Sequence, residues 1–220
     1  MFKSASLSVI ILFLALGCRS TPGAQPHDMS AAQHEATAAR LDAEAARWTS
    51  AENPTEESRR EATRHRQMAA DHRAASQALR DAEARACAGL READRDMSPF
   101  AHREDIANVE PLTEPVPFGR GTNIRQTVGT VVTFRAVLGM TAEWLQRVVD
   151  CHIARAASLG HDVPEMSYCP LMLREVEASV TSTGNGFAVA IRAGEPDTVD
   201  ELQRRARALV SATAPRVPSP

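Results

Sequence analysis

A long alanine- and arginine-rich stretch, broken once at Asn53-Pro54-Thr55, sets the first half of this fold. Residues 28–50 contain neither proline nor glycine. They are dense in Ala, Glu, Gln and Arg, which lose little freedom on entering a helix. Asp28 or Ser30 suits the N-cap, and Gln33, three residues after Ser30, completes a capping box. Proline brings no backbone N–H to the helix ladder, so the first helix stops before Pro54. Thr55, Ser58 and the neighbouring glutamates suit a second start, with helix two running from about Glu56 to Ala93. A short break between two such helices predicts an antiparallel hairpin over 28–97.

The seam of that hairpin follows from spacing. In helix one His34, Leu41 and Trp48 recur every seven residues, flanked by Ala31, Ala38 and Ala45. In helix two His65, His72, Leu79 and Ala86 do the same, with Met68, Ala75 and Ala82 between them. This is a short coiled-coil pattern built on alanine. Alanine buries little area, so the hairpin is thinly stabilised. The last third of helix two, with Leu79, Cys87 and Leu90, outruns helix one and needs a partner in the C-terminal domain. Folding about Asn53-Pro54 places His34 level with His72, with His65 and Met68 one or two turns away. His34, His65 and His72 are therefore candidate ligands for copper or zinc. The competing reading is of seam-edge histidines that meet Glu35, Glu61 or Asp71. His65 and His72 lie about 10 Å apart along the helix, too far to chelate one ion together.

The N-terminus has the grammar of a secretory signal: Lys3, then the apolar run Leu7–Leu14, then small residues. Leu14-Ala15-Leu16-Gly17-Cys18 resembles the lipobox of bacterial lipoproteins, with Ala15 where that family usually has Leu or Val. The resemblance implies cleavage after Gly17 and a diacylated Cys18 that anchors the chain to a membrane. Residues 1–17 are then the signal and 18–27 a flexible tether. Arg19 in place of Asp implies the outer membrane, with the body facing the periplasm. No second apolar run approaches the roughly 20 residues of a membrane span. The net charge of −3 gives no basic face for nucleic acid. The expected partners are the membrane, through lipidated Cys18, and another envelope protein; a small-molecule ligand is left unspecified.

Residues 98–127 carry Pro99, Pro111, Pro115 and Pro117 and read as an extended connector. The dense polar cluster Asp94, Asp96, His102, Glu104 and Asp105 is read as a solvated linker, with cation binding or acid–base work as its alternative. From Val128 the pattern becomes that of a domain. Val128–Val137 is β-branched and predicts a strand. Thr141 caps a helix that stops at Gly160. Leu173–Thr183 alternates, and Gly184-Asn185-Gly186 turns it into Phe187–Ile191 as a hairpin. Glu195-Pro196-Asp197 opens a last helix. The order β-α-β-β-α over 128–211 is most of a ferredoxin-like split βαβ unit, which makes the whole chain α+β. No final strand is evident, and 212–220 reads as a disordered tail.

Gly139-Met140-Thr141 after the first strand resembles the start of heavy-metal-associated domains, which continue Cys-x-x-Cys. Here those two positions hold Ala142 and Leu145, so the resemblance implies the fold without its metal thiolates.

With Cys18 acylated, Cys87, Cys151 and Cys169 remain, and three pairings are open. Cys151–Cys169 is favoured, because both fall in one domain. Cys151, His152, His161 and Cys169, with Met166 and Met172, are alternatively candidate copper or zinc ligands. Nucleophile-elbow, Walker, zincin and dinucleotide motifs are absent. The chain is expected to be a non-catalytic binding or structural module without a cofactor. Copper or zinc handling is the second reading and an enzyme working through 94–105 the third.

Overall fold

The computed structural model describes residues 28–119 and 121–211. The expected signal, Cys18, the expected tether and the expected 212–220 tail lie outside the described residues. Five helices and a four-stranded antiparallel sheet make a mixed α+β fold.

Helix α1 spans Ala31–Thr49 and α2 spans Glu56–Ala86. Ser30 caps α1 in a full capping box with Gln33, and Thr55 caps α2 through the Ser58 N–H. The two run antiparallel, as three cross-pairs show: Glu35 with Arg80, His34 with His72, and Glu44 with His65. Ala38, Leu41 and Ala69 form the only buried apolar cluster within the hairpin among the described residues. By length α1 reaches about 28 Å and α2 about 46 Å.

Helix two ends earlier than its composition suggests. Cys87 is its C-cap and Gly89 takes φ +79°. A short helix α3, Glu92–Asp96, then turns the chain toward the sheet.

Strands β1 (Ile106–Phe118), β2 (Thr122–Arg135), β3 (Val176–Thr183) and β4 (Gly186–Ala193) lie in the order β1-β2-β4-β3, each pair antiparallel. The segment expected to be a connector is therefore largely a strand. Pro111, Pro115 and Pro117 sit in β1, which among the described residues pairs with β2 alone. An edge strand needs ladder donors on one side alone, so prolines are tolerated there. Ahead of β1, Phe100 is fully buried and stacks on Phe134 with ring centroids 5.8 Å apart.

Helices α4 (Ala142–Ser158) and α5 (Pro196–Ser211) cover one face of the sheet. Val132 and Phe134 of β2 alternate inward with Val189 and Ile191 of β4, against Leu145 and Val149 of α4 and Leu202 and Leu209 of α5. The opposite face carries Arg192 paired with Glu114 across the strands. One-sided burial of this kind suits an antiparallel sheet. Gly129 permits the closest approach within it, since a Cβ there would sit 1.9 Å from the Ile191 carbonyl oxygen.

Helix α4 also holds the hairpin at both of its ends. Cys151 of α4 is disulfide-bonded to Cys87 at the end of α2, with Cα atoms 4.5 Å apart. Arg155 of α4 reaches Glu83 at 2.9 Å and Asp96 at 2.8 Å. Gly160, with φ +77°, lies against the α1 N-cap, where a Cβ would come within 2.9 Å of the Ser30 nitrogen. Among the described residues no helix is long and apolar enough to cross a membrane.

Gly160→Ala adds both a left-handed backbone penalty and a clash with the α1 start. It is expected to cost about 1–3 kcal/mol in urea unfolding. An unchanged midpoint would show that this contact does not constrain the chain.

Candidate functional site

The sequence-predicted residues separate into three places rather than one. The first is the hairpin seam. Ser76 donates to the Ala31 carbonyl at 2.7 Å, which fixes the register of α2 against the first turn of α1. One turn along, His34 and His72 face each other, both buried, with their Nδ1 atoms 2.9 Å apart. In the metal-free pair one Nδ1–H donates to the other Nδ1. Burial lowers the pKa of both imidazoles, His34 being further opposed by His72, and His72 by Arg40 against a smaller opposing pull from Asp71. Both rings are thus held toward the neutral state. His65 is not part of this pair. It lies 3.2 Å from a Glu44 carboxylate oxygen, without the alignment of a hydrogen bond.

The second place is a polar knot inside the α+β core. The expected Cys151–Cys169 disulfide is not formed. Cys151 pairs with Cys87, and Cys169 is a free, fully buried thiol. Cys87 reaches α4 because α2 outruns α1, and that end of α2 is closed over Val148, Cys151 and Leu90. The Phe100 N–H donates to Ser98 Oγ at 3.2 Å, and Ser98 donates to Cys169 Sγ at 3.3 Å. His152 Nε2 lies 3.4 Å from the same sulfur. Whichever ring nitrogen carries the proton, His152 Nδ1 is buried without a partner. Burial, aided by the Arg155 charge, lowers the His152 pKa to about 4, and burial raises that of the Cys169 thiol. A protonated thiol is a poor nucleophile and a poor metal ligand.

His161 stands apart from this knot. Its backbone is left-handed at φ 61°, and its Nδ1–H donates to the Met172 carbonyl at 3.1 Å. This ties the end of α4 to the loop that returns to β3. His152 and Cys169 thus meet in the core, while Cys151 and His161 tie other parts of the fold, and the four do not converge on one point. Among the described residues no group of three His, Cys, Asp or Glu side chains is placed to hold a metal ion. The start of α4 does not supply one either: Leu145 is core, and the Ala142 side chain has no donor atom.

The third place was legible in the sequence only as the polar cluster of residues 94–105. A cavity of about 70 Å³ opens between α3, the Ser98–Asp105 segment and the first half of α4. Phe134, Leu145 and Val148 make its buried wall, and Met97, Met140 and Trp144 stand around it. Asp94, His102 and Asp105 supply its polar lining. Apolar walls with a few polar groups are the usual make-up of a small-ligand site. Its lining comes from three separate chain segments, and no local signal joined the polar one to β2 and α4. The carboxylates nearby are largely engaged: Asp94 pairs with Arg91 at 2.9 Å, Asp96 pairs with Arg155, and Glu104 lies 3.3 Å from His102 Nδ1.

No protein-family model, curated protein or solved structure matches this chain.

The lowered His152 pKa has a stability consequence whose sign is fixed. As pH falls from about 6.5, the unfolded chain takes up a proton that the folded one refuses until about pH 4. Stability is therefore full above pH 6.5 and drops by about 3 kcal/mol by pH 4 from this group. Urea unfolding across that range, with His152→Gln showing a flatter dependence, tests it; equal slopes would contradict it.

Proposed function

We propose that this protein is a lipid-anchored envelope protein acting as a non-catalytic binding or structural module. The observation that carries the reading is the Cys87–Cys151 disulfide between the hairpin and α4. Disulfides persist in oxidising compartments, and this one suits export through the signal and lipobox at the N-terminus. In this reading Cys18 is acylated, the body faces the periplasm from the outer membrane, and the hairpin is a mount for the α+β domain. The cavity beside Trp144 is the place for a small ligand or for an apolar side chain of another envelope protein.

We read β2–α4–β3–β4–α5 as a ferredoxin-like unit, supported by the strand order β2-β4-β3 and by two helices on one face. The place beside β2, which a terminal strand would take, is filled by β1 from the N-terminal side. Copper or zinc handling is the second reading, favoured by the facing imidazoles of His34 and His72.

Cys18→Ser tests the anchor. Cell fractionation is expected to move the protein from the outer-membrane fraction to the soluble periplasm. Unchanged partitioning into detergent would remove the lipoprotein reading, and recovery in the cytoplasm would remove export altogether.

A further inference from the structure

We propose that the facing imidazoles of His34 and His72 form a copper(II) site that bridges α1 and α2. The two side chains come from opposite helices, and each is buried, His34 at 2% and His72 at 8% exposure. Their Nδ1 atoms already face one another at 2.9 Å. Imidazole nitrogens bind first-row ions at about 2.0–2.1 Å. Two such bonds to one ion, with nitrogens 2.9 Å apart, subtend about 90°. That is the cis angle of a tetragonal copper(II) centre. Tetrahedral zinc would need the nitrogens about 3.3 Å apart, and so a wider seam.

The donor set points the same way. With two neutral nitrogen donors, affinity among divalent first-row ions is greatest for copper(II). Among the described residues no third His, Cys, Asp or Glu converges on the pair, so the proposed centre takes its remaining ligands from water. The proton on one Nδ1 moves to Nε2 of the same ring when the ion enters, so binding releases no net proton. His65 is turned to Glu44 and takes no part.

Placement gives the site a consequence. The seam beside it is closed by the small cluster Ala38, Leu41 and Ala69. The disulfide holds the far end of α2, and the Ser30 cap holds the start of α1. A metal cross-link here, one turn from the Ser76–Ala31 contact toward the Asn53-Pro54 turn, ties the two helices beyond the part of the hairpin that α4 holds, so copper loading is read out as hairpin stability.

The test uses the full-length protein in detergent with its disulfide intact, titrated with copper(II) alone. Electron paramagnetic resonance is expected to show one saturable tetragonal centre with two equatorial nitrogens and a Kd at or below about 10 µM. Zinc(II) is expected to bind at least about tenfold more weakly. His34→Gln and His72→Gln are each expected to weaken copper at least about tenfold, and the double variant no further, while His65→Gln leaves it unchanged. Circular dichroism checks that each variant is helical, with His34→Asn and His72→Asn as replacements for any that is not. Absence of a saturable copper site, retention of the site in the folded variants, or tighter binding of zinc would overturn the proposal.

Discussion

The covalent bond between Cys87 and Cys151 is the constraint on which the arrangement of this molecule depends. A hairpin whose seam is mostly alanine, with one leucine, one buried serine and two histidines, buries too little apolar surface to be a firm body alone. The disulfide closes a loop with a sequence separation of 64, which in the chain-entropy picture contributes about 4 kcal/mol. It does so at the place where α2 runs past α1 and would otherwise stand unsupported. Arg155, one turn further along α4, adds ion pairs to Glu83 and Asp96. Gly160, just beyond the end of α4, receives the start of α1. One helix thus carries the core of the sheet on one side and both ends of the hairpin on the other.

This arrangement separates the chemistry of the chain into a core and a limb. In the core, buried polar groups are used for packing: Ser98, Cys169 and His152 form a short chain that depends on a neutral imidazole and a protonated thiol. In the limb, His34 and His72 sit in a seam with few other contacts, and a change there acts on the hairpin rather than on the sheet. The cavity beside Trp144 lies between the two, lined by α3 and the segment after it as well as by α4. A ligand there would touch the segment that joins limb to core.

Local signals in the sequence were reliable where the deciding interaction is local. The Ser30–Gln33 box, the Thr55 cap, the break at Pro54, the Thr141 cap and the turn at Gly184–Gly186 all act within a few residues, and each appears where its chemistry places it. The juxtaposition of His34 with His72 followed from the hairpin itself. What depended on distant partners was hidden. Prolines that argue against a central strand are compatible with an edge strand, so β1 looked like a connector. The partner of Cys151 depended on α2 being capped at Cys87 and turned by Gly89. Membership of one domain favoured Cys169, which the fold instead buries beside His152.

The central claim is that α4 is tied covalently to the end of the hairpin, and peptide mapping under non-reducing conditions tests it most directly. Protein purified from an oxidising compartment should be digested after alkylation in the folded state and again after unfolding. The account predicts a cross-linked peptide joining Cys87 to Cys151, with Cys169 modified only after unfolding. A Cys151–Cys169 or Cys87–Cys169 peptide, or three free thiols, would contradict it.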